Sequence, residues 1–379
     1  MEKDEMARKV ILDVKEGDLS KTLKDFFAEL LKTGNLDALL VPLELPSKVN
    51  VVPTLVTDIE KLESVQILAP IMPVNTARII SEMTKVTPSN KKIGVVLRNC
   101  ENRALLELLK LRQASLENMV VFGVDCLGTY SVNDYSGKAE KEELPAETIL
   151  NRFKKGEEDA DLRQSCKICA YPLAQNTDVV IELISHNIEK EVGISICTDK
   201  GEESLKGVEL KEDPDGEKRE KALEEVLSEQ AKKREEYFKE NASRFQGIEK
   251  LMSVFSPCIR CYNCRTVCPA CYCKECFFDS PTFEMEADRY LGWAQTKGAV
   301  RMPSNTLFFH LTRMAHMATC CIGCGLCSEA CPNNIPVAEV FQLAAAEVQK
   351  DLDYIPGRSL DEELPLSSFR EDELRDVED

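Results

Sequence analysis

The stretch "CIRCYNCRTVCP", residues 258–269, carries four cysteines at short intervals, and "CIGCGLCSEACP", residues 321–332, repeats the same intervals. Each reads C-x2-C-x2-C-x3-C-P, a spacing that lets thiolates surround a cuboidal iron–sulfur cluster within a few turns of chain. The alternative is a pair of structural zinc sites, but such sites rarely combine four ligands in one short run. The repeated spacing therefore predicts two 4Fe-4S clusters and single-electron transfer.

The two runs are expected to exchange ligands. In two-cluster ferredoxins the fourth cysteine of each run binds the cluster of the other run. This rule divides the eight cysteines into two predicted ligand sets. The first ferredoxin set is Cys258, Cys261, Cys264 and Cys331, and the second ferredoxin set is Cys321, Cys324, Cys327 and Cys268.

Composition excludes several classes of protein. The chain has 379 residues, and its formal net charge of -18 argues against nucleic acid or an anionic membrane as a partner. No apolar run reaches transmembrane length, and the charged N-terminus lacks a signal-peptide core. No phosphate loop, dinucleotide fingerprint or Ser/His/Asp constellation is present, so hydrolysis and a classical Rossmann dehydrogenase are disfavoured. We expect a cytoplasmic protein whose 17 cysteines are reduced and largely bound to metal.

The N-terminal half predicts an α/β domain. A helix and a strand are predicted over residues 18–43, and a second unit, with the strand QILAPIMPV before a helix, over 64–84. Residues 92–126 read as a strand, a crossover helix and a strand. The expected sheet is mostly parallel with helices on its faces.

Changes in charge and the long insertion between the cysteine runs predict the domain boundaries. Helix-like segments at 283–297 and 305–319 in that insertion favour an all-helical ferredoxin type over a compact β-rich one. The predicted parts are an α/β domain (1–200), a charged helical linker (201–250), a two-cluster helical ferredoxin domain (251–345) and an acidic C-terminal tail (346–379).

A third cysteine group is predicted in the α/β domain. Cys100 and Cys126 each follow a strand of the predicted parallel pair, so both thiols are expected at the carboxyl edge of the sheet. The C-x2-C pair Cys166 and Cys169, in QSCKICAYP, could complete a third 4Fe-4S cluster with them. The same pattern also fits two buried cysteines plus a separate redox or zinc pair.

The chain resembles the beta subunits of formate dehydrogenases and of hydrogenases that reduce the deazaflavin coenzyme F-420. The resemblance is carried by these segments: LDALLVPL (36–43), LAPIMPVN (68–75), KIGVVLRNCENRALLELLKLRQASLENMVVFGVDCLGTY (92–130), SCKICAYP (165–172), CPACYCKEC (268–276) and FHLTRMAHMATCCIGCGLC (309–327). It implies an α/β domain that holds FAD beside the third 4Fe-4S cluster and exchanges a hydride with a deazaflavin or nicotinamide coenzyme. Two positions depart from the family pattern, because its small-residue turn reads GDLSK at 17–21 and its Pro-Cys reads Asn99-Cys100.

Candidate flavin contacts follow from this resemblance and from predicted helix starts at one sheet edge. Each also has an ordinary interpretation as a helix cap or a solvated charge. The candidates are Ser20, Lys21, Asn75, Thr76, Arg78, Arg98, Asn99 and Arg103.

Other cysteines and histidines leave alternatives open. Cys271, Cys273 and Cys276 exceed the needs of two clusters, and one of them could replace Cys268, or they could form an additional centre with Cys320. Cys197 and Cys320 otherwise read as small core residues. His310 and His316 are expected to pack in a helix, with hydrogen bonding to a cluster as the alternative.

The resemblance implies an electron-transfer subunit. Its expected partner is the catalytic alpha subunit of a formate dehydrogenase or hydrogenase, or a heterodisulfide-reductase-type complex. Because a hydride carries two electrons and a cluster accepts one, a flavin would convert between them. The competing interpretations are a flavin-free iron–sulfur relay that links two redox enzymes, and a scaffold folded by structural metal.

Overall fold

The structure is a computed structural model. It describes residues 8–141, 143, 145–155, 157, 159–184, 186–214, 218–283, 286–298 and 304–367. The last residues of the predicted acidic tail, 368–379, lie outside this range, as do residues 284 and 285 of one predicted helix. The chain divides into two compact units: Met1–Tyr237 with Ile322–Gly325 and Pro356–Asp379, and Phe238–Cys321 with Leu326–Ile355. Within the described ranges, no helix combines the length and the apolar character that crossing a bilayer requires.

One sheet forms the centre of the first unit. Among the described residues its eight strands are β1 (Arg8–Asp13), β2 (Ala38–Glu44), β3 (Val51–Val56), β4 (Ile93–Arg98), β5 (Met119–Val124), β6 (Val179–Glu182), β7 (Glu191–Ile196) and β8 (Lys211–Glu212). Their order is β3-β2-β4-β5-β6-β7-β1-β8. The middle strands are continuous runs of apolar residues, and β5 is buried at every position, as expected for strands covered on both faces.

The expectation of a mostly parallel sheet is wrong, because the sheet is mixed. β2, β4, β5 and β6 run parallel, whereas β3, β7, β1 and β8 join by antiparallel pairing. The strand–helix–strand pattern of the sequence predicts only the parallel pairs at the centre of the sheet. The strand β1, RKVILD, lies between β7 and the edge strand β8 and pairs with β7 from far along the chain, and no local pattern specifies that direction.

Helices cover both faces of this sheet. In the first unit they are α1 (Leu19–Lys32), α2 (Thr76–Thr84), α3 (Asn99–Lys110), α4 (Val132–Glu140), α5 (Pro145–Lys154), α6 (Gln164–Lys167) and α7 (Asp199–Ser204). α1 buries Phe26, Phe27 and Leu30 against one face, and α3 buries Leu105 and Leu108 against the other. The predicted helices at α1, α2 and α3 are therefore confirmed.

The segment QILAPIMPV, residues 66–74, was expected to be a strand and is not one. Pro70 and Pro73 lack the backbone N–H that a central strand must donate, so the apolar run lies as irregular buried chain. The strand that the unit does contain, β3, lies earlier and pairs with β2.

The second unit is built from helices around an apolar core. The charged helix α8 (Lys218–Phe245) begins in the first unit and ends in the second, followed by α9 (Ile248–Phe255), α10 (Asn263–Thr266), α11 (Ala287–Lys297), α12 (Ser304–Met317), α13 (Leu326–Glu329) and α14 (Val337–Asp351). We find no strand among the described residues of this unit. The core includes Phe255, Phe309 and Phe341. The all-helical ferredoxin type and the boundaries of the four predicted parts stay predictions.

Candidate functional site

The first ferredoxin set lines one cavity in the second unit. Cys258, Cys261, Cys264 and Cys331 border about 340 Å³ of space that is partly open to solvent. Tyr262 has a left-handed backbone with φ of 59°, which turns the chain between the second and third of these cysteines. The short helix α10 then places Cys264 in the buried wall. The structure thus brings together the four residues that the ligand-exchange rule grouped, and four thiols around one space fit a cluster core.

His310 on α12 also lines this cavity. Its ring is buried and stacks on Phe255, with centroids 3.8 Å apart and planes at 8°. Burial, assisted by the charge of Arg313, lowers the pKa of His310 to about 3, so the ring is neutral at ordinary pH. Nε2 lies 3.3 Å from Sγ of Cys258, while the buried Nδ1 has no hydrogen-bond partner in the described part of the chain. A neutral ring with its hydrogen on Nε2 would therefore donate to this thiolate.

We expect His310→Phe to lower the midpoint potential of one cluster. The variant keeps an aromatic ring against Phe255 but removes the N–H donor. A donor to a cluster thiolate stabilises the reduced cluster, which is the more negative state, so its loss makes reduction less favourable. The expected shift is roughly 40 mV, equivalent to about 1 kcal/mol for a one-electron couple. His316→Phe is the matched control because His316 is exposed on the same helix. Equal shifts in both variants, measured by redox titration followed by electron paramagnetic resonance, would contradict the role of the hydrogen bond.

The second ferredoxin set is distributed differently. Cys268, Cys321 and Cys327 belong to the second unit, whereas Cys324 is counted with the first and packs on its core there. Gly323 and Gly325 have positive φ of 77° and 79°, which only glycine adopts freely. An added Cβ at Gly325 would meet Ser165 at 2.6 Å, so this loop needs glycine for close approach as well.

Strand topology sets the position of the third cysteine group. β4 and β5 run parallel, with Arg98 paired to Val124, so Cys100 and Cys126 follow at the same carboxyl edge. This is the arrangement that the sequence predicted. A hydrogen bond joins the Cys126 N–H to the Pro172 carbonyl at 2.9 Å. The segment that carries the C-x2-C pair is thereby attached to the end of a strand.

A second attachment fixes the same segment. Nδ2 of Asn99, at the start of α3, donates to the Tyr171 carbonyl at 3.0 Å. The Arg163 N–H donates to the carbonyl of Thr129 at 3.0 Å. The C-x2-C pair is therefore held between the chain that follows β5 and the start of α3.

Electrostatics couple the four thiols of this third set. Burial, and next the charge of Glu101, raise the pKa of Cys100 well above its ordinary value, and the charge of Cys126 adds to the shift. Burial raises the pKa of Cys126 to about 12. Burial also opposes ionisation of Cys166, but Arg163 and a contact with Thr129 Oγ1 at 3.2 Å hold its pKa below the ordinary value. Several half-buried thiolates whose charges act on one another need positive charge, which a metal-containing core supplies.

No group of three or more His, Cys, Asp or Glu side chains in the described ranges is arranged to hold a single metal ion. The ligands at the corners of a four-iron core stand farther apart than the ligands of one ion, so this absence does not bear on a cluster.

The predicted flavin contacts on α2 and α3 surround a residue that sequence reasoning missed. Glu101 is 2% exposed and accepts hydrogen bonds from the Thr76 N–H at 3.0 Å and the Arg98 N–H at 3.0 Å. It therefore joins the starts of both helices. Asn75 precedes Thr76 in the sequence, and Asn99 follows Arg98. Nδ2 of Asn75 and Oδ1 of Asn99 are buried and have no hydrogen-bond partner among the described residues. Buried amides of this kind usually bind something, so they fit a polar ligand at this edge.

The start of α1 offers less to a phosphate. Asp18 caps this helix, and its Oδ1 accepts from the Lys21 N–H at 2.8 Å. The Lys21 ammonium lies 3.6 Å from a carboxylate oxygen of Glu16. A carboxylate already occupies the place where an anion would approach, so the predicted roles of Ser20 and Lys21 gain no support here.

Arg103 and Arg98 already have protein partners. Nε of Arg103 donates to the Pro356 carbonyl at 2.8 Å, and its guanidinium lies 4.1 Å from the centre of the Tyr171 ring. Nη2 of Arg98 donates to the Ala69 carbonyl at 2.6 Å. Arg78 is partly buried on α2. The flavin roles of all three stay predictions.

A buried ion pair lies beside the third set. Both guanidinium nitrogens Nη1 and Nη2 of Arg219, in the first turn of α8, donate to Asp125 at 2.8 and 3.0 Å. Nε of Arg219 lies 3.3 Å from Glu182. Because Asp125 directly precedes Cys126, this pair anchors the charged helix to the strand end that carries a predicted ligand. Only one signal for this pair is present in the sequence, an arginine at the start of the predicted charged helix, and that signal does not identify the pair.

The extra cysteines lie near the second ferredoxin set. The Cys271 N–H donates to the Cys268 carbonyl at 3.2 Å, and burial followed by the charge of Cys268 raises the pKa of Cys271 to about 11. Cys273 is exposed. Cys273 and Cys320 both contribute to raising the pKa of Tyr272, after burial. Whether any of them binds metal stays a prediction.

Comparison with known proteins defines the class of the C-terminal part. Residues 254–335 match the family model described as "4Fe-4S dicluster domain". The chain therefore combines an N-terminal α/β sheet domain with a ferredoxin-type iron–sulfur domain.

Two relatives are similar to this chain over most of its length. The F420-dependent formate dehydrogenase subunit beta of Methanocaldococcus jannaschii is 28% identical over 346 residues, covering 83% of this chain and 85% of the relative. The F420-dependent formate dehydrogenase 1 subunit beta of Methanococcus maripaludis is 27% identical over 388 aligned positions, covering 93% of this chain and 94% of the relative. The resemblance to oxidoreductase beta subunits that the sequence predicted is confirmed.

A solved structure shows a weaker likeness. A chain of the F420-reducing NiFe hydrogenase complex from Methanosarcina barkeri is 13% identical, with a TM-score of 0.44, covering 64% of this chain and 94% of that one. A likeness of this size carries no argument about the fold.

Proposed function

We propose that this chain is the electron-transfer beta subunit of a formate-dehydrogenase-like or hydrogenase-like complex. It would exchange a hydride at FAD with a deazaflavin or nicotinamide coenzyme and pass single electrons along three 4Fe-4S clusters. The observation that carries the proposal is the grouping of cysteines. Four line one cavity in the second unit, and four others couple electrostatically at the sheet edge of the first.

Each cofactor in this proposal has a role and a set of residues that would hold it. FAD supplies the conversion between a two-electron hydride and single electrons. The third set would bind the cluster next to it, with Thr129 and Arg163 stabilising the Cys166 thiolate. The unpaired atoms Nδ2 of Asn75 and Oδ1 of Asn99 would orient a polar part of the flavin. None of these residues acts as a nucleophile or a proton donor in this proposal.

The order of electron transfer is supported by an electrostatic interaction within the first unit. The charge of Cys324, a member of the second ferredoxin set, contributes to raising the pKa of Cys100 in the third set, after burial, Glu101 and Cys126. A cluster bound through Cys324 would therefore receive electrons directly from the cluster of the third set. The first ferredoxin set would then complete the path toward a partner subunit.

The partner is proposed from the two relatives, which are beta subunits of F420-dependent formate dehydrogenases. We propose a catalytic alpha subunit of that kind, or a heterodisulfide-reductase-type complex, and a cytoplasmic location for the assembly. The soluble substrate proposed is a deazaflavin, in keeping with the F420 dependence of both relatives.

A second candidate function is a flavin-free iron–sulfur relay. The Asp18 carboxylate at the start of α1 favours it, because a negative group at that helix end repels a flavin phosphate. The relay would keep all three clusters and connect two other redox enzymes.

Cofactor content separates these functions. We expect protein purified without oxygen to contain about twelve iron atoms, about twelve acid-labile sulfides and about one FAD per chain. About twelve iron atoms without flavin would favour the relay. Zinc in place of iron would contradict electron transfer and leave only a structural scaffold.

A further inference from the structure

Arg313 is a buried cation in the second unit that sequence reasoning missed. It lies on α12 and is 4% exposed. Its guanidinium carbon lies 4.5 Å from the centre of the Phe341 ring on α14. In the described part of the chain, Nε and Nη1 have no hydrogen-bond partner, and no Asp or Glu forms an ion pair with this residue. A buried guanidinium without a carboxylate needs negative charge from another source.

The negative groups facing Arg313 are thiols. The charges of Cys268, Cys327 and Cys264 raise the pKa of Arg313, although its burial alone would lower it. Cys264 belongs to the first ferredoxin set, whereas Cys268 and Cys327 belong to the second. The Phe341 ring that the guanidinium overlies packs in one apolar cluster with all three of these cysteines, so one guanidinium adjoins predicted ligands of both clusters.

We propose that Arg313 is a positioning residue whose buried charge compensates the thiolates of both ferredoxin-type clusters and raises both reduction potentials. The proposal rests on the proposed function, since it needs clusters at both sets. Reduction of a cluster adds one negative charge to it. A fixed positive charge in a dry site therefore stabilises the reduced form more than the oxidised form.

The experiment is a redox titration of the whole chain, purified without oxygen, followed by electron paramagnetic resonance. In Arg313→Gln we expect both ferredoxin-type couples to become harder to reduce by about tenfold in equilibrium constant, or about 59 mV each. In Arg313→Lys, which keeps the charge, we expect smaller shifts. Arg244→Gln is the matched control, because Arg244 also lies over a phenylalanine ring, Phe245, but is exposed. It should leave both potentials unchanged.

The outcomes separate this inference from the proposed function. If the wild-type protein lacks iron at the ferredoxin sets, the proposed function itself fails. If the wild type holds both clusters and Arg313→Gln leaves both potentials in place, only the role of Arg313 is overturned. Loss of iron in Arg313→Gln but not in Arg313→Lys supports charge compensation, since the charge is then needed to retain the clusters. Loss of iron in both variants overturns it, because packing and not charge would then explain the residue.

Discussion

The double variant Cys166→Ser/Cys169→Ser is expected to lose about four of about twelve iron atoms per chain, together with all coenzyme-linked electron transfer. The C-x2-C pair supplies half of the ligands of the third set, and hydroxyls do not replace thiolates on iron. The two ferredoxin sets lie elsewhere in the chain, so their signals should persist. Iron and sulfide analysis, electron paramagnetic resonance and reduction of an artificial acceptor by the reduced coenzyme measure these three effects.

Cys197→Ser is the matched control for this variant. Cys197 is a half-buried cysteine in the same unit, and its Sγ donates to the Ser195 carbonyl at 3.8 Å. It was expected to be a core residue, so its variant should keep the full iron content and the coenzyme-linked activity. If the double variant kept all of its iron, the third cluster would be ruled out. If Cys197→Ser lost the same four atoms, the ligand assignment would be wrong.

The parts of this protein that local sequence patterns specify were predictable. The intervals of the two cysteine runs grouped Cys258, Cys261, Cys264 and Cys331, which the structure places around one cavity. The strand–helix–strand pattern over residues 92–126 placed Cys100 and Cys126 at one sheet edge, as β4 and β5 confirm. In both cases a recognisable sequence pattern sets the relevant geometry, either through ligand spacing and ligand exchange or through the right-handed crossover.

The parts that depend on distant partners were not predictable. Arg219 meets Asp125 across 94 positions of sequence, and Glu101 meets Thr76 across 25. Nothing in the local pattern distinguishes these buried charges from solvated ones. The same limit explains the mixed sheet, because the direction of β1 follows from pairing with β7. Buried charges in this fold are found only when the tertiary contacts are known.

Arg219→Met is expected to destabilise the first unit by about 3–5 kcal/mol, the usual cost of removing one partner of a buried ion pair. The Asp125 side chain is fully buried, and although it also accepts from the N–H groups of Ala174 and Leu183, it would keep an uncompensated charge. The urea concentration at half-unfolding, followed by circular dichroism on protein of matched iron content, measures the loss.

Two further variants identify the cause of that loss. Arg8→Met removes an arginine that also pairs with two carboxylates, Glu202 and Glu212, each at 2.7 Å, but on the surface, so no measurable change is expected. Adding Asp125→Asn to Arg219→Met removes the buried charge itself and should recover part of the stability, which a double-mutant cycle reports as a coupling energy. If Arg219→Met were as stable as Arg8→Met, α8 would not be anchored by this pair. A loss that Asp125→Asn does not relieve would instead assign the effect to the contacts of Arg219 with Glu182 and the Ala174 carbonyl.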